Sequence, residues 1–142
     1  MKEISAGGVV YQATDSNLLI MLIEDRYGKV TLAKGKQELG ETIEETALRE
    51  VLEETGVRGR LGEKLDTIYY DYHHPVTGEL VNKEVHYYLV EAYSTEIVVQ
   101  EEEINAVHWH SPDEAWALQQ KRGYRNNDNV LRLALHHFGI EV

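Results

Sequence analysis

Residues 35–57 read Gly35-Lys36-Gln37-Glu38-Leu39-Gly40-Glu41-Thr42-Ile43-Glu44-Glu45-Thr46-Ala47-Leu48-Arg49-Glu50-Val51-Leu52-Glu53-Glu54-Thr55-Gly56-Val57. Thr42 with Glu45 three residues on is a capping box, and Gly56 stands where a glycine ends a helix, so a helix is expected over 42–55. At about 100° per residue with Ile43 at zero, Glu50 falls at about 340°, Glu53 at about 280° and Glu54 at about 20°. Three carboxylates share one arc. On the same wheel Ala47, Val51, Leu48 and Leu52 fill an arc from about 40° to about 180°, the expected core face. The acidic arc borders the apolar one, which places part of it against the sheet.

Residues 41–54 hold six Glu and one Arg. Like charges three or four residues apart destabilise a helix by about 0.2–0.5 kcal/mol per pair, so the cluster needs a neutralising partner. Oxygen-only ligands point to a hard cation, Mg²⁺ or Mn²⁺. Arg49 lies beside Glu53 on the wheel and is placed to orient a carboxylate. Ahead of the helix, Leu32-Ala33-Lys34-Gly35-Lys36 reads as a strand entering a glycine loop. Gly35 is free to adopt positive φ and to bring its carbonyl close to a metal, while Lys34 and Lys36 can meet phosphate as point charges. Metal-bridged phosphates beside activated water are the parts of phosphoryl transfer. The plainer reading is a solvated Glu-rich helix. What separates the two is the whole pattern Gly-x5-Glu-x7-Arg-Glu-U-x-Glu-Glu-x-Gly-U, with U aliphatic, which the chain matches at all nine specified positions.

The rest of the sequence sets bounds. The chain has 142 residues, 42% of them hydrophobic, which suits one globular domain with its own core. Fourteen basic against 25 acidic residues give a net charge of −11, which argues against long nucleic acid or an anionic membrane as partner. There is no cysteine, so disulfides, thiolate zinc sites and thiol catalysis are excluded. A reducing cytoplasmic location fits that usage, and the opening residues show no signal-peptide pattern. The longest apolar run, Leu18 to Ile23, is far shorter than the roughly 20 residues that span a bilayer.

β-branched and aromatic runs predict strands at 4–13, 18–26, 30–33, 65–73, 84–94 and 104–110. Asp15-Ser16-Asn17 and Tyr27-Gly28-Lys29 read as turns, and Val76-Thr77-Gly78-Glu79 as a hairpin tip. Helices are expected at 112–120, where Ser111-Pro112 with Glu114 gives a cap, and at 127–138. Strands around a central helix with helices closing the chain define an α/β layered domain with a mixed sheet.

The nine-position pattern resembles the Nudix box, and the resemblance to the Nudix hydrolase family extends over residues 1–142, with Ser5-Ala6-Gly7-Gly8-Val9-Val10 similar to the family's first core strand. The resemblance implies an α/β/α sandwich. It also implies Mg²⁺- or Mn²⁺-dependent hydrolysis of a nucleoside diphosphate linked to another group. By the same resemblance Glu50, Glu53 and Glu54 are metal ligands with the Gly35 carbonyl, and Glu41 and Arg49 brace loop and helix by a salt bridge. The resemblance also implies that one of the metal-linked glutamates, Glu50 or Glu53, or an acid from a later loop, takes the proton from water. The chain departs from the family's common Leu-Pro-Lys-Gly at Ala33.

Three features outside the box bear on substrate. Glu101-Glu102-Glu103 precede a strand, and several Nudix branches place an extra metal-binding or basic glutamate there; the spacing to Trp109 selects Glu103. The alternative is a solvated acidic turn. Lys83-Glu84-Val85-His86-Tyr87-Tyr88-Leu89-Val90 is similar to a strand of the diadenosine tetraphosphate hydrolases. That similarity implies base stacking on Tyr87 and phosphate contact at Lys83, against an ordinary core role for Tyr87. The ADP-ribose branch carries a proline about fifteen residues after the box, where this chain has Tyr72, more typical of the dinucleoside polyphosphate enzymes. Tyr124 is a second candidate for base stacking, with packing as the alternative. The pairs His73-His74 and His136-His137 read as surface or packing residues. The substrate expected is diadenosine tetraphosphate, cleaved to ATP and AMP. The alternatives are a nucleoside triphosphate, including oxidised dGTP, cleaved to a monophosphate and pyrophosphate, or nucleotide sensing without turnover. A monomer or a homodimer is expected.

Overall fold

The computed structural model describes residues 1–94, 96–99 and 104–142. Seven strands form one mixed sheet: β1 (Lys2–Thr14), β2 (Asn17–Asp25), β3 (Val30–Thr31), β4 (Ala33–Lys36), β5 (Gly59–His73), β6 (Leu80–Ala92) and β7 (Ile104–His110). The helices are α1 (Ile43–Thr55), α2 (Pro112–Arg122) and α3 (Asp128–His137), with a 3₁₀ turn at Arg125–Asn127. The path β3-β2-β1-β6-β5 carries β7 on β2 and β4 on β1. At its centre β1 and β6 run parallel, from Lys2 opposite Asn82 to Tyr11 opposite Glu91. Among the described residues no helix is long and apolar enough to cross a membrane.

The period of two along the central strands builds both faces. Val9, Val85, Tyr87 and Leu89 pack with Ala115 of α2 and with Val130, Leu131, Ala134 and Leu135 of α3. Val10, Met21, Ile23 and Val90 pack on the opposite face with Val51 of α1. The result is the α/β/α sandwich that the family resemblance implies. Leu131 is fully buried, so Leu131→Ala is expected to cost about 2–5 kcal/mol, read as a lower denaturant midpoint at unchanged slope.

Three strands differ most from their predicted extents. β6 runs from Leu80 to Ala92, beginning four residues before the expected 84. The run at 30–33 is two strands: Val30 and Thr31 pair with β2, whereas Ala33 to Lys36 switch to β1, with Ala33 opposite Gly8 and Lys36 opposite Ser5. The change of partner at Leu32 carries Lys34 and Gly35 into the sheet. β5 begins at Gly59 and not near 65. Its first part, Gly59-Arg60-Leu61-Gly62, lacks β-forming composition because it is built around close approach. A Cβ on Gly59 would stand 2.5 Å from Val90 Cγ1, and one on Gly62 would stand 3.1 Å from the Leu89 carbonyl oxygen. Register shifts between Leu61 and Asp66 mark bulges that re-aim the strand.

Candidate functional site

Helix α1 starts and ends as its sequence requires. The Thr42 side chain accepts from the Glu45 amide, the Glu45 side chain accepts from the Thr42 amide, and Gly56 takes φ 75°. Its buried residues are Thr46, Ala47, Val51 and Thr55. On the helical wheel these cover an arc from about 300° to about 120°, rotated from the one the leucines suggested. Leu48 and Leu52 are only half-buried. Glu50 and Glu54 therefore lie inside the buried arc and not on its border. The side chain of Glu50 is 12% exposed and that of Glu53 is 45% exposed.

Arg49 organises this face. Its Nε donates to Glu41 Oε2 at 2.5 Å and its Nη2 to Glu41 Oε1 at 3.0 Å, a two-pronged ion pair between helix and loop. Nη1 donates to Glu50 Oε1 at 2.7 Å and to Glu53 Oε2 at 3.1 Å, and Nη2 donates to the Lys36 carbonyl at 2.8 Å. The Glu54 carboxylate accepts from the Lys34 amide at 3.0 Å. One guanidinium and one main-chain amide thus hold the three helix carboxylates against β4.

Gly35 is required for a reason other than the expected one. Its φ is not positive. Instead, a Cβ there would stand 2.1 Å from Glu50 Cδ and Oε2. The missing side chain makes the cradle in which the Glu50 carboxylate rests. Among the described residues no three acidic or histidine side chains already stand in metal-binding geometry. The donor chemistry nevertheless fits a hard divalent cation. Glu50, Glu53, Glu54 and the Gly35 carbonyl offer oxygen only, and Glu50 rests directly against Gly35. Glu103 lies outside the described residues.

Beside the acidic face opens a cavity of about 350 Å³, lined among others by Lys34, Glu54, Tyr70, Tyr87, Tyr124 and Asn127. That volume suits one nucleoside-sized group. The Lys34 ammonium is pushed down from its ordinary range by burial and by Lys83, while Glu54, Glu3 and Glu50 partly restore it. Tyr124 donates to Asp25 Oδ2 at 2.5 Å and carries Lys29 Nζ 5.0 Å from its ring centre. The Asp25 bond, with some burial, pushes its hydroxyl up to about 12. Tyr124 therefore lines the cavity with its phenol already committed.

Other residues picked from the sequence are placed differently. Tyr87 is fully buried in the core, so its ring offers no open face for base stacking. It is nonetheless among the residues that line the cavity, and its buried hydroxyl has no hydrogen-bond partner. The reason is the pleat: Tyr87 shares its face of β6 with Val85 and Leu89, in the core cluster that α2 and α3 complete. Tyr72 is not a cavity residue; its hydroxyl donates to Glu3 Oε2 at 2.7 Å. Lys83 and Lys36 also turn to Glu3, at 2.8 and 3.2 Å. Asp25, Tyr70, Asn127 and Glu3 are site residues that the sequence reading missed. Only Tyr70 carried a signal, as part of the tyrosine-rich strand.

Two of the acids give the site a pH signature. Arg49 donating to Glu41 lowers its carboxyl to about 2, against a smaller upward push from burial. Burial pushes Glu3 up, but bonds from Lys83 and Tyr72 outweigh it and hold the group at about 2. A carboxyl depressed by folding contributes stability that is full above its unfolded pKa and is lost as pH falls through the folded one. Stability from these two groups is thus expected to decline from about pH 4.5 toward 2. Urea midpoints across that range should fall less steeply in Glu41→Gln than in the wild type.

The chain belongs to the Nudix family: the family model described as NUDIX domain matches residues 1–134. Among curated proteins it is 41% identical over 115 residues to one named mutator protein MutT4, of Mycobacterium tuberculosis (strain CDC 1551 / Oshkosh). The match takes in 75% of this chain and 45% of that protein, so the chain spans about half the length of the curated relative. Among solved structures it is similar to the C. elegans Ap4A hydrolase binary complex, with TM-score 0.75, 22% identity, and 96% of this chain and 98% of that one covered. It is also similar to the E. coli dihydroneopterin triphosphate pyrophosphohydrolase, with TM-score 0.74, 20% identity and coverage of 94% and 95%. At these identities the two structures speak to the fold.

Proposed function

We propose that residues 1–142 form a single cytoplasmic Nudix domain, with its box at 35–57, that hydrolyses a phosphoanhydride bond of a nucleoside polyphosphate. The observation that carries this reading is one of position. Glu54 and Lys34 line the same nucleoside-sized cavity, and the Glu54 carboxylate is bound to the Lys34 amide. A nucleotide with its nucleoside in that cavity has its phosphates at the acidic helix.

In this reading Glu50, Glu53 and Glu54, with the Gly35 carbonyl and Glu103, hold Mg²⁺ or Mn²⁺. The cation, when bound, would offset phosphate charge and ease the ionisation of water. Lys34 and Lys36 bind phosphate oxygens. Glu50 takes a proton from the attacking water; Glu103 is the second candidate for that task. The water oxygen bonds to phosphorus as the bridging P–O bond breaks, and the leaving phosphate carries the electron pair away. Arg49 keeps the Glu50 carboxylate aimed throughout, which is its contribution to orientation.

The first substrate to test is diadenosine tetraphosphate, giving ATP and AMP. A second reading, nucleoside triphosphate pyrophosphohydrolase, is favoured by the burial of Tyr87, which takes away a stacking platform for adenine. It is also the reading in keeping with a relative named as a mutator protein. Turnover with Mg²⁺ and with Mn²⁺ should be compared for diadenosine tetraphosphate, dGTP, 8-oxo-dGTP and ADP-ribose, with products resolved by chromatography. ATP plus AMP at the highest kcat/KM supports the first reading. Pyrophosphate from a triphosphate supports the second. No product from any of them, with nucleotide still bound, overturns both in favour of a sensor.

A further inference from the structure

Four neighbouring strands each send one side chain to the same point. Glu3 of β1 stands opposite Lys83 of β6, and its Oε1 lies 2.8 Å from Lys83 Nζ. Lys36 of β4 reaches Glu3 Oε2 at 3.2 Å, and Tyr72 of β5 donates to the same oxygen at 2.7 Å. The Glu3 and Lys83 side chains are 13% and 11% exposed, so this is an interior arrangement, whereas Lys36 is 66% exposed and reaches in from outside. Ser5, two residues along on the same face of β1, is fully buried and its Oγ has no partner. Two ammonium groups and a phenol converging on one carboxylate, with a spare hydroxyl two residues along the strand, are the donor set of an anion site. The anion in it is the protein's own carboxylate.

The cluster adjoins the cavity along the strands. Lys34, which lines the cavity, is two residues from Lys36 on the same face of β4, and Tyr70, which also lines it, stands opposite Lys83 and two residues from Tyr72. A phosphate chain running outward from the cavity past Lys34 therefore meets Glu3 where it would otherwise meet free lysines. We propose that Glu3 is a specificity-determining residue: an internal counter-anion that occupies the outer phosphate subsite formed by Lys36, Lys83 and Tyr72, and so limits the length of polyphosphate the cleft accepts. This rests on the nucleotide reading of the cleft, but it concerns binding and not the hydrolytic step.

The test is calorimetric titration of the full chain with inorganic pyrophosphate and tripolyphosphate, in metal-free buffer at low salt. Glu3→Gln keeps an acceptor for Tyr72 and removes the charge. At the separations here one unit charge is expected to change affinity about tenfold after screening. Tripolyphosphate should therefore bind about tenfold tighter to Glu3→Gln than to the wild type, with a smaller gain for pyrophosphate. Lys36→Ala should weaken tripolyphosphate in both backgrounds. Unchanged or weaker tripolyphosphate binding by a folded Glu3→Gln chain overturns the proposal. Breaking a buried pair leaves Lys83 uncompensated and lowers the stability of that variant, so a second variant accompanies it. Glu3→Gln/Lys83→Gln removes both charges, and it should bind tripolyphosphate no more weakly than the wild type although a lysine is gone. A several-fold weakening there also overturns the proposal. Neither arm requires turnover, so failure of the hydrolase reading and failure of this one are told apart.

Discussion

Gly35→Ala is expected to lose at least about 10²-fold in kcat while the chain stays folded, because a misplacement of about 1 Å at a reacting group has that effect. The added Cβ would stand 2.1 Å from the Glu50 carboxylate carbon and 2.1 and 2.5 Å from its oxygens. A clash with main chain would unfold the strand. Here the obstacle is the end of a flexible side chain, so the carboxylate swings away and β4 remains paired to β1. Swinging away takes Glu50 from Arg49 Nη1, now 2.7 Å distant, and from the place where it would take a proton. Stability should fall by about 1 kcal/mol, the low end of overpacking costs, because the obstacle is a side chain that can move and not main chain. Thermal melts alongside initial rates separate the two effects. A large fall in melting temperature with kcat per folded molecule unchanged would mean that Gly35 serves the strand and not the carboxylate.

Arg49→Ala should show the opposite balance in stability. Arg49 is 21% exposed and holds Glu41, Glu50 and Glu53 together with the Lys36 carbonyl. Without it those carboxylates repel one another with no counter-charge, and the loop from Lys36 to Glu41 loses its tie to α1. Removing one partner of a largely buried pair costs about 3–5 kcal/mol; with Glu53 partly in solvent, about 2–3 kcal/mol is expected. For a chain of this size that lowers Tm by roughly 10 °C. Arg49→Lys should recover little of it, since an ammonium cannot span both oxygens of Glu41 and also reach Glu50. Full recovery by lysine would mean that charge alone, and not the fork, holds the site. Added Mg²⁺ should stabilise Arg49→Ala more than the wild type, because a cation held by the same carboxylates would relieve the repulsion.

Local signals made α1 readable in advance. Thr42, Glu45 and Gly56 fix its ends through contacts within a few residues, and the acidic spacing singled out Glu50, Glu53 and Glu54. The alternating strands around the β1–β6 pair were legible for the same reason. The wheel misled where leucines were weighted over Thr46 and Thr55, which are fully buried because their hydroxyls are satisfied locally, by Glu41 and Thr42 and by Val51 and Val57. Glu3 carried no sequence signal at all. Its partners lie 33, 69 and 80 residues away and only the sheet order brings them together. The depth of Tyr87 was not legible, since the alternation that names its neighbours cannot choose between a stacking surface and the core, where it lies. The cavity wall formed by Asp25 and Asn127 is likewise a product of packing between distant segments.

The most direct test of a cation-dependent hydrolytic site on α1 is the metal-dependent turnover of Glu54→Gln beside the wild type. The preferred nucleotide from the substrate comparison would be used, with Mg²⁺ titrated in both. Glutamine keeps an acceptor for the Lys34 amide, so β4 and the fold are retained, while the charge that would hold the cation is lost. The expected result is a fall in kcat/KM of about 10²–10³-fold, with the Mg²⁺ dependence moved to higher concentration. Wild-type rates and an unchanged Mg²⁺ dependence in Glu54→Gln would contradict the assignment of the site.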